Sequence, residues 1–147
     1  MQLVAPLGSV YQAGTLSGNP VAMCAGITQL RYLQAHPEVY QQIRGLSDRF
    51  RNGLKEIIQR YHAPCTVNGM ESLSCLYFTS KPVTNYASAK QADTQQFRQY
   101  FHYMLDAGSY FGPSQFEAIF VSNAHTTQEI DKTLSDAEAY FAAQEKK

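Results

Sequence analysis

Ser72-Leu73-Ser74-Cys75-Leu76-Tyr77-Phe78-Thr79 is rich in strand formers, and its first half alternates apolar with polar residues. The second half is apolar on both faces, which predicts an inner strand covered on both sides. Just upstream, Asn68-Gly69 is a hairpin-type turn signal, with Cys65-Thr66-Val67 as a short partner strand. Before these come Val39, Ile43, Leu46, Phe50, Leu54, Ile57 and Tyr61, spaced by three and four. That stripe predicts a helix over 38–61, with Arg44, Asp48, Arg49, Arg51, Lys55 and Glu56 on its other faces. Gly45 and Gly53 each weaken it by roughly 1 kcal/mol relative to alanine. A long amphipathic helix feeding a hairpin points to an α+β fold, a small antiparallel or mixed sheet covered by helices.

Towards the N-terminus, residues 1–18 read as irregular, broken by Pro6, Gly8, Gly14 and Gly18. Asn19 is a good N-cap and Pro20 suits the first helical position. The helix that follows is apolar on nearly every side, which predicts burial between other elements. His36-Pro37 ends it, because a residue before proline avoids the helical region. The domain division read from the chain is thus 1–18 as a connecting segment and 19–147 as the domain.

Towards the C-terminus, Lys81 to Ala92 reads as a loop. Asp93 caps a helix carrying Phe97, Tyr100, Phe101, Met104 and Leu105, and Gly108 stops it. Ser109-Tyr110-Phe111 and residues 118–122 are short strand candidates. Thr126 with Glu129 forms a capping box that opens a last helix, and residues 144–147 read as a frayed tail.

Composition narrows the function classes. The chain has 147 residues, 12 basic and 12 acidic, and a formal net charge of zero. That balance gives no broad electrostatic footprint for nucleic acid or anionic membrane. No apolar run reaches the roughly 20 residues of a membrane-spanning helix. The N-terminus lacks a secretory signal, so a cytoplasmic location is expected. Cys24, Cys65 and Cys75 contain no Cys-x-x-Cys pair and no histidine has metal-ligand spacing, so no metal site is expected. Charged residues make up only 16%, while ten Tyr and eight Phe are present without a Trp. Few charges with many tyrosines predict surface that something else covers.

Two segments invite a chemical reading. Tyr11-Gln12-Ala13-Gly14-Thr15-Leu16-Ser17-Gly18-Asn19-Pro20 puts glycines and hydroxyls directly before a helix start. Glycine admits a close ligand and Thr15 offers an N–H with a hydroxyl, a combination that can hold a phosphate oxygen. The plain alternative is an ordinary loop before a capped helix. Gly112-Pro113-Ser114-Gln115-Phe116-Glu117-Ala118 sets a carboxylate among aromatic and apolar residues. Such a carboxylate is costly unless it is paired, faces a cleft, or points to solvent.

Both segments resemble motifs of the glutamate-1-semialdehyde 2,1-aminomutases, a class-III, fold-type I aminotransferase branch. The first is similar to the segment that leaves the large domain. The second, with Ser122 and Ala124-His125-Thr126, is similar to the C-terminal motif. The resemblance implies a pyridoxal-phosphate enzyme of tetrapyrrole biosynthesis that makes 5-aminolevulinate, working as a homodimer. It implies that Gly14 and Thr15 bind the cofactor phosphate of the partner subunit, and that Glu117 lies on the substrate side. It places the Schiff-base lysine and the acidic partner of the pyridinium upstream of residue 1. Lys55, Lys81, Lys90, Lys132, Lys146 and Lys147 lie in nothing like that lysine motif. The chain is therefore expected to be the C-terminal third of such an enzyme, a truncated piece or an incomplete gene product. Alone it is expected to hold no catalytic residue, bind no cofactor and be inactive. Ser109-Tyr110-Phe111-Gly112 and Ile119 depart from the family pattern beside the second motif. Two other readings remain: a non-catalytic module that pairs through residues 1–35, and the small domain of another class-III aminotransferase.

Overall fold

The computed structural model describes residues 1–145. The chain divides into two compact units, Met1–Pro37 and Glu38–Lys147. In the first, residues 1–18 are a chain of turns with one bridge, Val4 to Val10. Helix α1 spans Pro20–Ala35, and the Asn19 side chain accepts the N–H groups of Val21 and Ala22 as read. The expectation that α1 is buried is not met. None of its residues is buried, and Val21 and Leu30 are 78% and 68% exposed. An all-round apolar composition signals a need for cover, and this unit supplies none.

The second unit holds α2 (Glu38–Arg60), β1 (Thr66–Met70), β2 (Leu73–Tyr77), α3 (Tyr86–Ala89), α4 (Thr94–Asp106), β3 (Ile119–Phe120) and α5 (Thr127–Glu145). The strands form an antiparallel sheet in the order β1-β2-β3. β2 is thus the inner strand that its sequence implied. Its Ser74 and Leu76 turn into the core, while Cys75 and Tyr77 are half-buried on the other face. Helices α2, α4 and α5 cover the core side.

The core is strongly aromatic. Tyr100 of α4 is buried among Phe78 at 5.7 Å, Phe111 stacked at 6.2 Å and Tyr140 edge-on at 5.2 Å between ring centroids. Phe50, Leu54 and Ile57 bring the α2 stripe to the same cluster. Each such side chain removed from water contributes about 1.5–3 kcal/mol. These rings absorb part of the tyrosine excess, yet Tyr40, Tyr86 and Tyr110 stay exposed.

Several sequence expectations change. Asn68-Gly69 is not the hairpin turn. Both residues lie in β1, and the turn is Glu71-Ser72, closed by the Met70–Leu73 pair. Gly69 is needed for a different reason: a Cβ there would sit 2.5 Å from Arg51 Cδ and from the Leu73 carbonyl oxygen. Arg51 is not on a solvent face but buried, and its Nη1 donates to the carbonyls of Glu71 (2.8 Å) and Leu73 (3.0 Å). The α2 guanidinium therefore ties down the hairpin turn. Ser109-Tyr110-Phe111 forms no strand. The Ser109 N–H closes the end of α4 on the Met104 carbonyl, and the Phe111 ring lies 6.4 Å from that of Phe50. The last strand is only two residues long. The 81–92 loop contains the short α3, held by a capping box between Asn85 and Ser88. Gln144 and Glu145 belong to α5 and not to a frayed tail; Lys146 and Lys147 lie outside the described residues. The Asp93 cap, the Thr126–Glu129 box and the Gly108 stop form as read.

Candidate functional site

Gly14 and Thr15 lie in the first unit, on an exposed turn that ends at the start of α1. The Gly14 carbonyl accepts the Ser17 N–H at 3.0 Å, and the Leu16 carbonyl accepts the Asn19 N–H at 3.1 Å. These bonds bend 14–19 into a compact loop. Among the described residues, no hydrogen bond uses the N–H of Gly14, the N–H of Thr15 or the Thr15 hydroxyl. Three donors on two adjacent residues, with no side chain on one of them, match the needs of a phosphate oxygen set. The residues present therefore fit the phosphate end of pyridoxal phosphate. They offer nothing for its ring. The α1 N-terminus adds little, because Asn19 already occupies the N–H groups of Val21 and Ala22.

Glu117 lies in the second unit, in the turn that leads into β3. Its N–H bonds the Ser114 carbonyl at 3.0 Å, and its carbonyl faces Cys75 Sγ at 4.0 Å. The side chain rests against bare backbone at Gly112, where a Cβ would stand 2.6 Å from Glu117 Oε2. Glu117 is exposed, and among the described residues its carboxylate has no ion-pair partner. Burial cost is thus avoided by exposure, and the group is free to meet a ligand.

Sequence reading missed what holds this turn. Gln115 is almost fully buried, at 3% exposure, and its Nε2 donates to the Ala89 carbonyl at 3.5 Å. The Phe116 ring packs on Tyr86 at 5.7 Å. Both partners belong to α3, so the short helix in the segment read as a loop is what fixes the Glu117 turn. Nothing in the sequence marks it beyond Asn85 and Ser88. Among the described residues, no group of three His, Cys, Asp or Glu side chains could hold a metal ion. Also among the described residues, no helix is long and apolar enough to cross a membrane.

A scan against protein-family models gives no match. Curated relatives match nearly the whole chain. It is 53% identical over 144 residues to glutamate-1-semialdehyde 2,1-aminomutase 2 of Lachnoclostridium phytofermentans, covering 98% of this chain and 34% of that protein. Over its length this chain is a homologue of part of a glutamate-1-semialdehyde 2,1-aminomutase. The aminomutase of Ruminiclostridium cellulolyticum is also 53% identical, over 94% of this chain and 32% of its own length. One from Thermus thermophilus is 47% identical, over 91% and 31%. The chain thus spans about a third of the length of the aminomutases it matches. Solved structures carry the same fold at low identity. An omega-transaminase from Sphaerobacter thermophilus has a TM-score of 0.73 at 21% identity, covering 90% of this chain and 30% of its own. A β-phenylalanine aminotransferase from Variovorax paradoxus gives 0.72 at 21%, covering 98% and 33%. The α+β layer read from the order of helices and strands is therefore the one found in transaminases.

Proposed function

We propose that this chain is the C-terminal third of a pyridoxal-phosphate-dependent glutamate-1-semialdehyde 2,1-aminomutase, which makes 5-aminolevulinate for tetrapyrrole synthesis. The 53% identity along 98% of the chain carries the reading. In it, residues 1–18 are the cofactor-facing segment and 19–147 the small domain. Gly14 and Thr15 donate their N–H groups and the Thr15 hydroxyl to the phosphate of the cofactor held by a second subunit. Their free donors and exposure support this role. Glu117 stands on the substrate side, orienting the amino group of the substrate through an unpaired carboxylate. Pyridoxal phosphate, when bound, supplies an electron sink for bond breaking at the amino-bearing carbon. The lysine that anchors it comes from the rest of the polypeptide, since no lysine of this chain fits that part.

The test is a chimera in which this chain replaces the corresponding third of the Lachnoclostridium phytofermentans aminomutase. Thr15→Val is expected to weaken cofactor retention about tenfold, the loss of a hydrogen bond to a charged group at about 1.5–3 kcal/mol at the low end. Glu117→Gln is expected to raise KM or lower kcat while leaving cofactor content unchanged. Unaltered values for both variants would remove these residues from the site.

One observation favours a second reading, a pairing module: the apolar residues of α1 are exposed. Light scattering on the isolated chain decides it. Dimers that dissociate on Leu30→Glu would support pairing, and a monomer at high concentration would reject it.

A further inference from the structure

The second unit contains a cavity of about 160 Å³ that the proposed function does not use. It lies between α2, the end of β3 and the first turn of α5. Phe50, Val121 and Ile130 form an apolar floor that is almost fully buried. Phe111 supplies an aromatic wall. An apolar cavity of about 150 Å³ is enough to stay dry and take a benzene-sized ring.

Tyr110, His125, Glu129 and Thr133 are its polar lining, and the half-buried His125 and exposed Glu129 at its mouth have complementary unused atoms. His125 Nδ1 accepts the Ser122 N–H at 3.0 Å. A ring nitrogen that accepts an N–H carries no hydrogen, so the neutral imidazole holds its hydrogen on Nε2. Glu129 Oε2 accepts the Thr126 N–H at 2.7 Å and its hydroxyl at 3.0 Å. These bonds hold the Glu129 carboxyl below the usual range, so it is ionised at neutral pH. Its Oε1 takes no bond among the described residues. Beside the Tyr110 and Thr133 hydroxyls, the mouth of the cavity thus offers an N–H donor on His125 and a carboxylate acceptor on Glu129. A hydroxyl can accept from the first and donate to the second. A carboxylate ligand would meet Glu129 as a like charge, and the flat aromatic wall favours a ring.

We propose that this cavity binds a small, uncharged phenol, ring inward against Phe50 and Phe111 and hydroxyl towards His125 and Glu129. The experiment is amide NMR of the intact 147-residue chain titrated with phenol, with toluene as the isostere lacking the hydroxyl. Saturable shifts at Val121, His125 and Ile130 are expected. Phenol should bind roughly three- to tenfold more tightly than toluene, the worth of a net hydrogen bond. Ala118→Leu, which narrows the cavity, should abolish the shifts with melting unchanged; Thr133→Leu serves if that variant unfolds. His125→Phe should reduce phenol to the affinity of toluene. No saturable shift, equal affinity for the two probes, or shifts that survive both narrowing variants would overturn the site.

Discussion

Cys65 and Cys24 have the same side chain in opposite surroundings. Burial pushes the Cys65 thiol up to about 12, so almost no thiolate exists near neutral pH. Cys24 is exposed on α1. A thiol reagent near neutral pH is therefore expected to modify Cys24 promptly and the partly buried Cys65 far more slowly until denaturant is added. Peptide mass mapping checks the order, and prompt modification of Cys65 in the native chain would contradict its burial. Arg51 shows why single residues are hard to read. Its spacing put it on the polar side of α2, and in the structure it pairs with Asp48 one turn earlier. Its further partners are the carbonyls of a hairpin some twenty residues on. Gln115 is the same case at the candidate site. The position of Glu117 was legible in the sequence; the buried amide that steadies its turn was not, because its partner Ala89 is brought in by tertiary packing.

At the scale of elements, helix ends were legible because caps are local. Asn19, Asp93 and the Thr126–Glu129 box all act within three residues. The long helix was legible because seven apolar residues keep one period. Strands were less so: β3 is set by pairing with β2, and Gly69 answers to Arg51 and not to a turn. Gly69→Val is thus expected to destabilise the second unit by about 1–3 kcal/mol through overpacking, read as a lower urea midpoint. The same variant with no loss would mean that Arg51 does not press on β1. The caps also give the fold an acid limit. Asp93 accepts the N–H groups of Gln96 and Gln95, and these bonds hold its carboxyl below the ordinary range; Thr126 does the same for Glu129. Their folded affinity for protons is lower than that of the unfolded chain, whose carboxyls titrate near pH ~4. The unfolded state therefore takes up more protons below that pH, and stability falls as pH drops through the depressed values. Urea midpoints should be flat from about pH 7 to 5 and fall towards about pH 3. Asp93→Asn should flatten that fall; an unchanged slope would remove the cap as its cause.

For the whole molecule, the described residues hold a complete aromatic core in one unit and two sets of unpaired polar groups, Gly14-Thr15 and Glu117, in separate units. The isolated chain, incubated with pyridoxal phosphate and borohydride, is expected to give no adduct on a single defined lysine and no turnover. The resemblance in the two motifs was the most informative signal in the sequence, since periodicity and charge named no chemistry. The most direct test of the account is 5-aminolevulinate formation by the chimera carrying this chain in place of the last third of the Lachnoclostridium phytofermentans aminomutase. Turnover within about tenfold of that enzyme is predicted, a barrier change of no more than about 1.4 kcal/mol. A folded chimera that retains its cofactor but forms no 5-aminolevulinate would contradict the assignment.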